Sequence, residues 1–312
     1  MIQENNAYVA LRLKHGVGLA APHTWPAAIL PTGLGVSLSF VAAGRWDPLL
    51  SVCLLLIAIL MQSAVNTLND YADFIKNTDT LENSDDPGDA ILVYNRLNPK
   101  TVRSLGFVFL LAAAIPGVWV TIQAGFIPLY IGIVGGAVVI LYSLGKMPIS
   151  HFPLGEFVSG FVMGGLITLA VCTAISGVFD LFVLLYALPL IIGIALLMNT
   201  NNTCDIERDI SSGRRTLPVI LGRRRARVLY AVLLAVWISS VFCLVLIFFP
   251  KGAPAAVPVF AAAMLLYIRQ FRLPLTQETR RQSMTGLLRL LMVLGLGYIV
   301  MVLLHGIRVA GG

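Results

Sequence analysis

Long apolar runs separated by short polar clusters set the rhythm of this chain from about residue 24 onward. A helix needs roughly 20 mostly apolar residues to cross the hydrocarbon core of a bilayer. Nine segments meet that length: about 24–44, 49–69, 104–123, 126–145, 157–177, 181–200, 228–249, 253–271 and 286–307. Several contain Gly or Pro (Pro31, Pro116, Gly135 with Gly136, Pro189). Membrane helices tolerate these because neighbouring groups re-satisfy the freed backbone. The pattern predicts an all-α, polytopic membrane helix bundle of about nine transmembrane helices. It forms one integral-membrane domain over residues 1–312. The stretch MIQENNAYVALRLKHG contains Glu4 and no short apolar core with a small-residue cleavage site, so it reads as a soluble lead-in.

Composition agrees with the membrane class. Of the 312 residues 58% are hydrophobic and only 12% are charged, against about 25% charged in soluble domains. So little charge cannot cover a water-soluble globule. The four cysteines (Cys53, Cys172, Cys204, Cys243) have no paired spacing, and three sit in apolar runs, so neither a disulfide framework nor a zinc site is expected.

The net charge of +7 could point to nucleic acid, but its placement points elsewhere. With the N-terminus inside, nineteen of the twenty-two lysines and arginines fall on the inner face, and only Arg45, Lys251 and Arg308 fall outside. That bias predicts an N-in, C-out topology, with anionic lipid or phosphate as a second use and no nucleic-acid partner. The acidic residues are not distributed this way by topology, since they contribute little to orientation. Ten of fifteen lie in two inner-face segments, from Asp70 to Asp89 and from Asp205 to Asp209.

The first segment reads NTLNDYADFIKNTDT from Asn66, and on a helix Asn66, Asp70 and Asp73 share a face with Asn69 beside them. The second reads NTNNTCDIERD from Asn199, where Asn201, Asp205 and Asp209 form an i,i+4,i+8 stripe next to Asn202. Like charges one turn apart weaken a helix, and a carboxylate near the membrane carries a desolvation cost. Repeating both costs at two helix ends points to a bound cation, and this hard oxygen set suits Mg²⁺ shared with phosphate. Asp79, Glu82, Asp85, Asp86 and Asp89 read equally well as solvated loop carboxylates. Lys146, Arg214 and Arg215 are candidates for phosphate oxygens, whereas Arg223, Arg224, Arg225 and Arg227 read as topology signals.

At these residues the chain resembles the UbiA superfamily of intramembrane prenyltransferases. The resemblance rests on Asn69-Asp70-x-x-Asp73 followed by Asp79, on Asp205-x-x-x-Asp209, and on Tyr142 with Lys146 in LYSLGK. Within the superfamily, PLGEF (Pro153–Phe157), GRRTLPVILG and APHTWPAAILPTGLG look most like the 1,4-dihydroxy-2-naphthoate prenyltransferases of menaquinone synthesis. The resemblance implies helices around a central cavity and transfer of a polyprenyl group from its diphosphate to an aromatic acceptor. It implies Mg²⁺ on Asp70, Asp73, Asp79, Asp205 and Asp209, with Lys146 assisting. The diphosphate would meet Asn66, Asn69, Asn201, Asn202, Arg214, Arg215 and Tyr142. The active site would face the cytoplasm, in the cell membrane of a bacterium or archaeon. Ala21 and Cys204 stand where this branch usually has Arg, and Asn77 where Gly is common; His23 or Arg12 could compensate.

Other acceptors remain open: 4-hydroxybenzoate, homogentisate, chlorophyllide or a glyceryl lipid. A secondary transporter and a non-catalytic lipid scaffold are the readings from other classes. Tyr142, Phe157 and Phe161 could line a water-poor cavity, and Tyr142 could equally be an interface aromatic. Glu156 is a candidate base by position alone, or else a solvated helix-start carboxylate. The pairs Gly132/Gly136 and Gly160/Gly164 suggest close packing within a bundle, and nothing in the sequence sets the oligomeric state.

Overall fold

The computed structural model describes residues 8–78, 80–81, 88 and 90–311. Asp79, Glu82, Asp85, Asp86 and Asp89 lie outside the described residues, as does Glu4. Nine principal helices are numbered here: α1 Pro26–Ala43, α2 Pro48–Ile75, α3 Pro99–Ala124, α4 Phe126–Ser143, α5 Gly155–Ser176, α6 Leu188–Cys204, α7 Leu217–Phe248, α8 Pro250–Arg272 and α9 Gln277–Ala310. All except α6 are long and apolar enough to cross a bilayer. α6 has 17 residues and is preceded by the short helix Phe182–Tyr186. The expected span 181–200 is thus two pieces, and Pro189, which cannot donate a backbone hydrogen bond, stands in the first turn of the second. The described residues contain no strand, and the fold is an all-helical membrane bundle.

Helix starts carry the usual punctuation. Proline occupies the first turn of α1, α2 and α3. The Asp47 and Asn98 side chains accept from Leu50 N and Lys100 N at 2.9 Å, satisfying amides that lack an intrahelical partner. Three helices run past their apolar stretches. α2 continues to Ile75, α7 begins at Leu217, and α9 begins at Gln277. Counting apolar residues locates the hydrocarbon segment only; the polar turns beyond it remain helical and carry the acidic and basic residues. In α7 the extension breaks at Gly222 (φ 73°), so Arg223 to Arg227 follow a kink.

Lipid offers no hydrophobic drive between helices, so the bundle depends on close approach. A Cβ on Gly35 of α1 would lie 2.7 Å from Val171 of α5, and one on Gly193 of α6 would lie 2.7 Å from the Trp237 ring of α7. Gly160 and Gly164 of α5 meet the Ile191 backbone of α6 so closely that a Cβ would sit at 2.5 Å. These contacts join α1, α5, α6, α7 and α9 around the fully buried Trp237 and Tyr298. The α2–α5 side is built differently: Leu111, Ile115 and Ile122 of α3 lie outward, and a cavity remains between the helices. One π-helical turn, Gly160–Leu166 of α5, lies against this space; such turns often occur at functional sites.

Candidate active site

A cavity of about 530 Å³ opens at the acidic ends of α2 and α6 and runs down between α2, α3, α4 and α5. Asn66, Asn69, Asp70 and Asp73 reach it from the last turns of α2, and Asn201, Asn202 and Asp205 from α6. Asp209, on the short helix Ile206–Ser211, and Arg214 complete the mouth, and Tyr142 lines the wall below.

Each polar side chain has a defined partner. Asn69 accepts from Ser143 Oγ at 3.0 Å and donates to Asp73 Oδ2 at 2.8 Å. The other oxygen of Asp73 pairs with the Arg214 guanidinium, whose Nη1 lies 3.7 Å from Asp209 Oδ1. Arg214 therefore bridges the two motifs, although residues 73 and 209 are far apart in sequence. Thr216 Oγ1 donates to Asp209 Oδ2 at 3.0 Å. Burial pushes the Asp209 carboxyl up to about 6, against the pull of the Arg214 charge and the Thr216 hydrogen bond.

Asp70 is held otherwise. Its two oxygens accept from Ile91 N at 2.9 Å and Leu92 N at 3.1 Å, so it caps the short helix Ile91–Tyr94 in the α2–α3 connection. Asn66 also looks inward to the fold: its Nδ2 donates to Ala20 O at 3.0 Å and Thr24 Oγ1 at 2.8 Å. Asn202 Nδ2 donates to Glu156 Oε1 at 2.8 Å. Glu156 is only 6% exposed, not a solvated helix-start carboxylate, and its Oε2 has no hydrogen-bond partner among the described residues.

Two functional candidates were hidden in the basic count. Arg280, at the start of α9, donates to Asn201 Oδ1 at 2.7 Å and to Asp205 Oδ2 at 3.0 Å. Arg208 lines the cavity and donates to Thr78 O at 3.3 Å, and burial lowers its pKa. His23 lines the opposite wall, whereas Arg12 is exposed and outside the cavity. No local signal distinguished Arg280 or Arg208, because basic residues belong on that face anyway; only the fold shows what they reach.

Two expected residues do not join the mouth. Lys146 follows Gly145 (φ 97°) in an exposed turn, and Arg215 is exposed with its backbone N–H on His151 O at 2.9 Å. The glycine turns the chain away from the cavity after Ser143. Beside them, Lys76 Nζ donates to Ser143 O at 3.1 Å, and burial lowers its pKa despite the Asp73 charge. Burial, with the Lys76 and Arg214 charges, holds the His151 imidazole down at about 4. Phe157, 63% exposed, stacks on Phe161 at 5.8 Å and lies outside the cavity. Asn77 has φ 56°, which explains how it stands where glycine is common: Asn visits the left-handed region more readily than other side chains.

Residues 28–294 match the model of the UbiA prenyltransferase family. The chain is 32% identical over 218 residues to the 1,4-dihydroxy-2-naphthoate octaprenyltransferase of Bacillus subtilis, covering 70% of this chain and 69% of that one. It is 27% identical to the human UbiA prenyltransferase domain-containing protein 1, covering 68% of this chain but only 62% of the longer relative. A UbiA homologue from Archaeoglobus fulgidus, solved with GPP and Mg²⁺, superposes with a TM-score of 0.64 at 16% identity, covering 91% of this chain and 99% of that one. An apo UbiA homologue from Aeropyrum pernix gives 0.64 at 18% identity, covering 93% and 99%. At these identities the solved structures speak for the fold.

Proposed function

Because the chain belongs to the UbiA prenyltransferase family, we propose that it transfers a polyprenyl group from its diphosphate to an aromatic acceptor, with Mg²⁺ and at the cytoplasmic face. 1,4-Dihydroxy-2-naphthoate is the acceptor we favour, on the likeness to the Bacillus protein. The observation that carries the reading is the Arg214 bridge between Asp73 and Asp209, placed over a cavity whose deeper walls are apolar. A charged head and a long apolar tail on one ligand need that combination. A transporter would place its ionisable groups nearer the bilayer midplane.

The donor set fits Mg²⁺. Among the described residues no three carboxylates, histidines or cysteines converge on one point. The cavity offers one or two carboxylates per motif, which is how Mg²⁺ binds when it keeps water and shares a substrate phosphate. Asp73, Asp205 and Asp209 would hold it, with Asp70 contributing as far as its backbone bonds allow. Bound there, the metal would neutralise charge developing on the leaving diphosphate.

The chain's own residues do the rest. Arg208, Arg214 and Arg280 line the mouth with planar donors that suit diphosphate oxygens. Arg214 and Arg280 pair with motif carboxylates, and a diphosphate carried between the motifs would draw them onto its oxygens. Glu156 fixes the Asn202 amide, keeping that donor oriented at the rim. Apolar walls exclude water from the allylic carbon, where hydrolysis would otherwise compete. Tyr142 supplies an aromatic neighbour for the positive charge that develops there. His23, Thr24 and Gln62 form a polar wall where acceptor oxygens can bind.

Purified protein given one long prenyl diphosphate and a panel of aromatic acceptors, with product masses read, tests this. A prenylated naphthoate product that disappears with a chelator is expected. Product unaffected by chelator, or none with any acceptor, would overturn the reading.

A further inference from the structure

A second, smaller pocket of about 280 Å³ lies beside the candidate active site, at the same end of the bundle. It sits where α2, α3 and α4 converge, and Tyr71, Ile75, Lys76, Arg103, Ser143 and Gly145 line it. No residue lines both pockets. Ile75, Arg103 and Gly145 are exposed, so the second pocket belongs to the outer surface of the bundle.

Its charge is one-sided. Lys76 and Arg103 line it, and among the described residues no carboxylate does. Lys100 lies one turn before Arg103 on α3, whose first turn carries no acid, so the helix dipole adds to the positive potential. Asp73 attracts Lys76, but its own carboxylate is engaged by Arg214 and Asn69.

Arg103 is the informative residue. Its guanidinium carbon lies 5.9 Å from the centroid of the Tyr71 ring, and it makes no hydrogen bond or ion pair among the described residues. An arginine that only marks topology extends its head into water. This one rests on a ring with its five N–H donors unused by the fold. Lys76 gives one donor to Ser143 O at 3.1 Å and keeps two. Phe107 and Leu111 follow Arg103 at i+4 and i+8 on α3 and are exposed. The cationic pocket thus stands at the head of an apolar, outward-facing stripe.

We propose that this pocket binds the phosphate of an anionic phospholipid, with Arg103 as the planar fork and Lys76 as the point charge. Basic pockets between membrane helices suit such headgroups, and the stripe below Arg103 offers a surface to the acyl chains that a soluble phosphate would not use. Occupancy bears on the neighbouring site. Lys76 holds the Ser143 carbonyl, and the Ser143 hydroxyl donates to Asn69, which donates to Asp73. A bound headgroup braces the helix end that orients the first acidic motif. The inference goes beyond prenyl transfer, and its test does not depend on that activity.

The test is the denaturation midpoint of the full chain in detergent, with phosphatidylglycerol or phosphatidylcholine of the same acyl chains added. Phosphatidylglycerol should raise the midpoint by about 3 °C or more above phosphatidylcholine, the scale of ligand stabilisation in a chain of this length. Arg103→Gln should lose that difference. Arg224→Gln, which removes an exposed cation near the start of α7, should keep it. Both lipids are compared within each variant, so a change in basal stability does not enter. Equal midpoints with the two lipids, an undiminished difference in Arg103→Gln, or equal losses in the two variants would overturn the site. An equal rise with free glycerol phosphate would also overturn it, by assigning the pocket to a soluble phosphate.

Discussion

The two acidic helix ends look alike in sequence and are held differently in the fold. At the end of α2, Asp70 accepts from backbone amides of the α2–α3 connection, and Asp73 pairs with Arg214. At the end of α6, Asp205 and Asp209 are both held by side chains, Arg280, Arg214 and Thr216. Backbone capping organises a loop; side-chain ion pairs can be exchanged for a ligand. One end is thus partly scaffold, while the other is free to respond to substrate.

Arg214 serves both ends, so removing it should do the most damage. Arg214→Ala is expected to lower prenyl transfer by about 10²- to 10³-fold, the usual effect of deleting a preorganised charge-stabilising donor. A loss under tenfold would break the bridge between the two ends.

Arg280 serves only the α6 end. Arg280→Ala should raise the KM for the prenyl diphosphate by about tenfold, with Arg280→Lys intermediate because a point charge replaces a fork. An unchanged KM would demote Arg280 to a structural ion pair.

Substituting Asp70 and Asp205 separates the ends most sharply. Asp70→Asn leaves one acceptor for two backbone N–H groups and should destabilise the detergent-solubilised protein by about 1 kcal/mol, the scale of one lost hydrogen bond, and lower activity with it. Asp205→Asn should lower transfer with the denaturation midpoint unmoved. Identical stability profiles would show the two ends to be equivalent after all.

The smallest effect concerns His151, beside the α2 end. Its folded pKa of about 4 lies below the unfolded value, so the unfolded chain takes up a proton first on acidification. Stability is therefore lost as pH falls from about 6.5 towards 4. His151→Gln should flatten the dependence of the denaturation midpoint on pH across that window.

Much of this was readable before the fold. The spans follow from apolar run length, and the Asp/Asn faces follow from helical spacing, both of which are local. Arg280 was not readable, because what it does depends on Asn201, which lies 79 residues away. Lys146 stands apart for the converse reason: its spacing from Tyr142 suits a helix, but the helix ends at Ser143 and leaves Lys146 in an exposed turn after Gly145. The two glycine pairs are identical in spacing, and only the fold separates them: Gly160 and Gly164 meet the α6 backbone, whereas Gly132 and Gly136 line the cavity with nothing within 4 Å of an added Cβ. Ala21 and Cys204 remove arginines from two familiar places, but Arg280 supplies a cation beside Asp205 from another helix.

A double-mutant cycle on transfer rate tests the central claim, that both helix ends hold one diphosphate site. Asp73→Asn, Asp209→Asn and the double variant would be compared under saturating acceptor. Residues acting as one unit are non-additive, so the double variant should lose little more than the worse single one. Losses that multiply would mean two independent sites and would contradict the account.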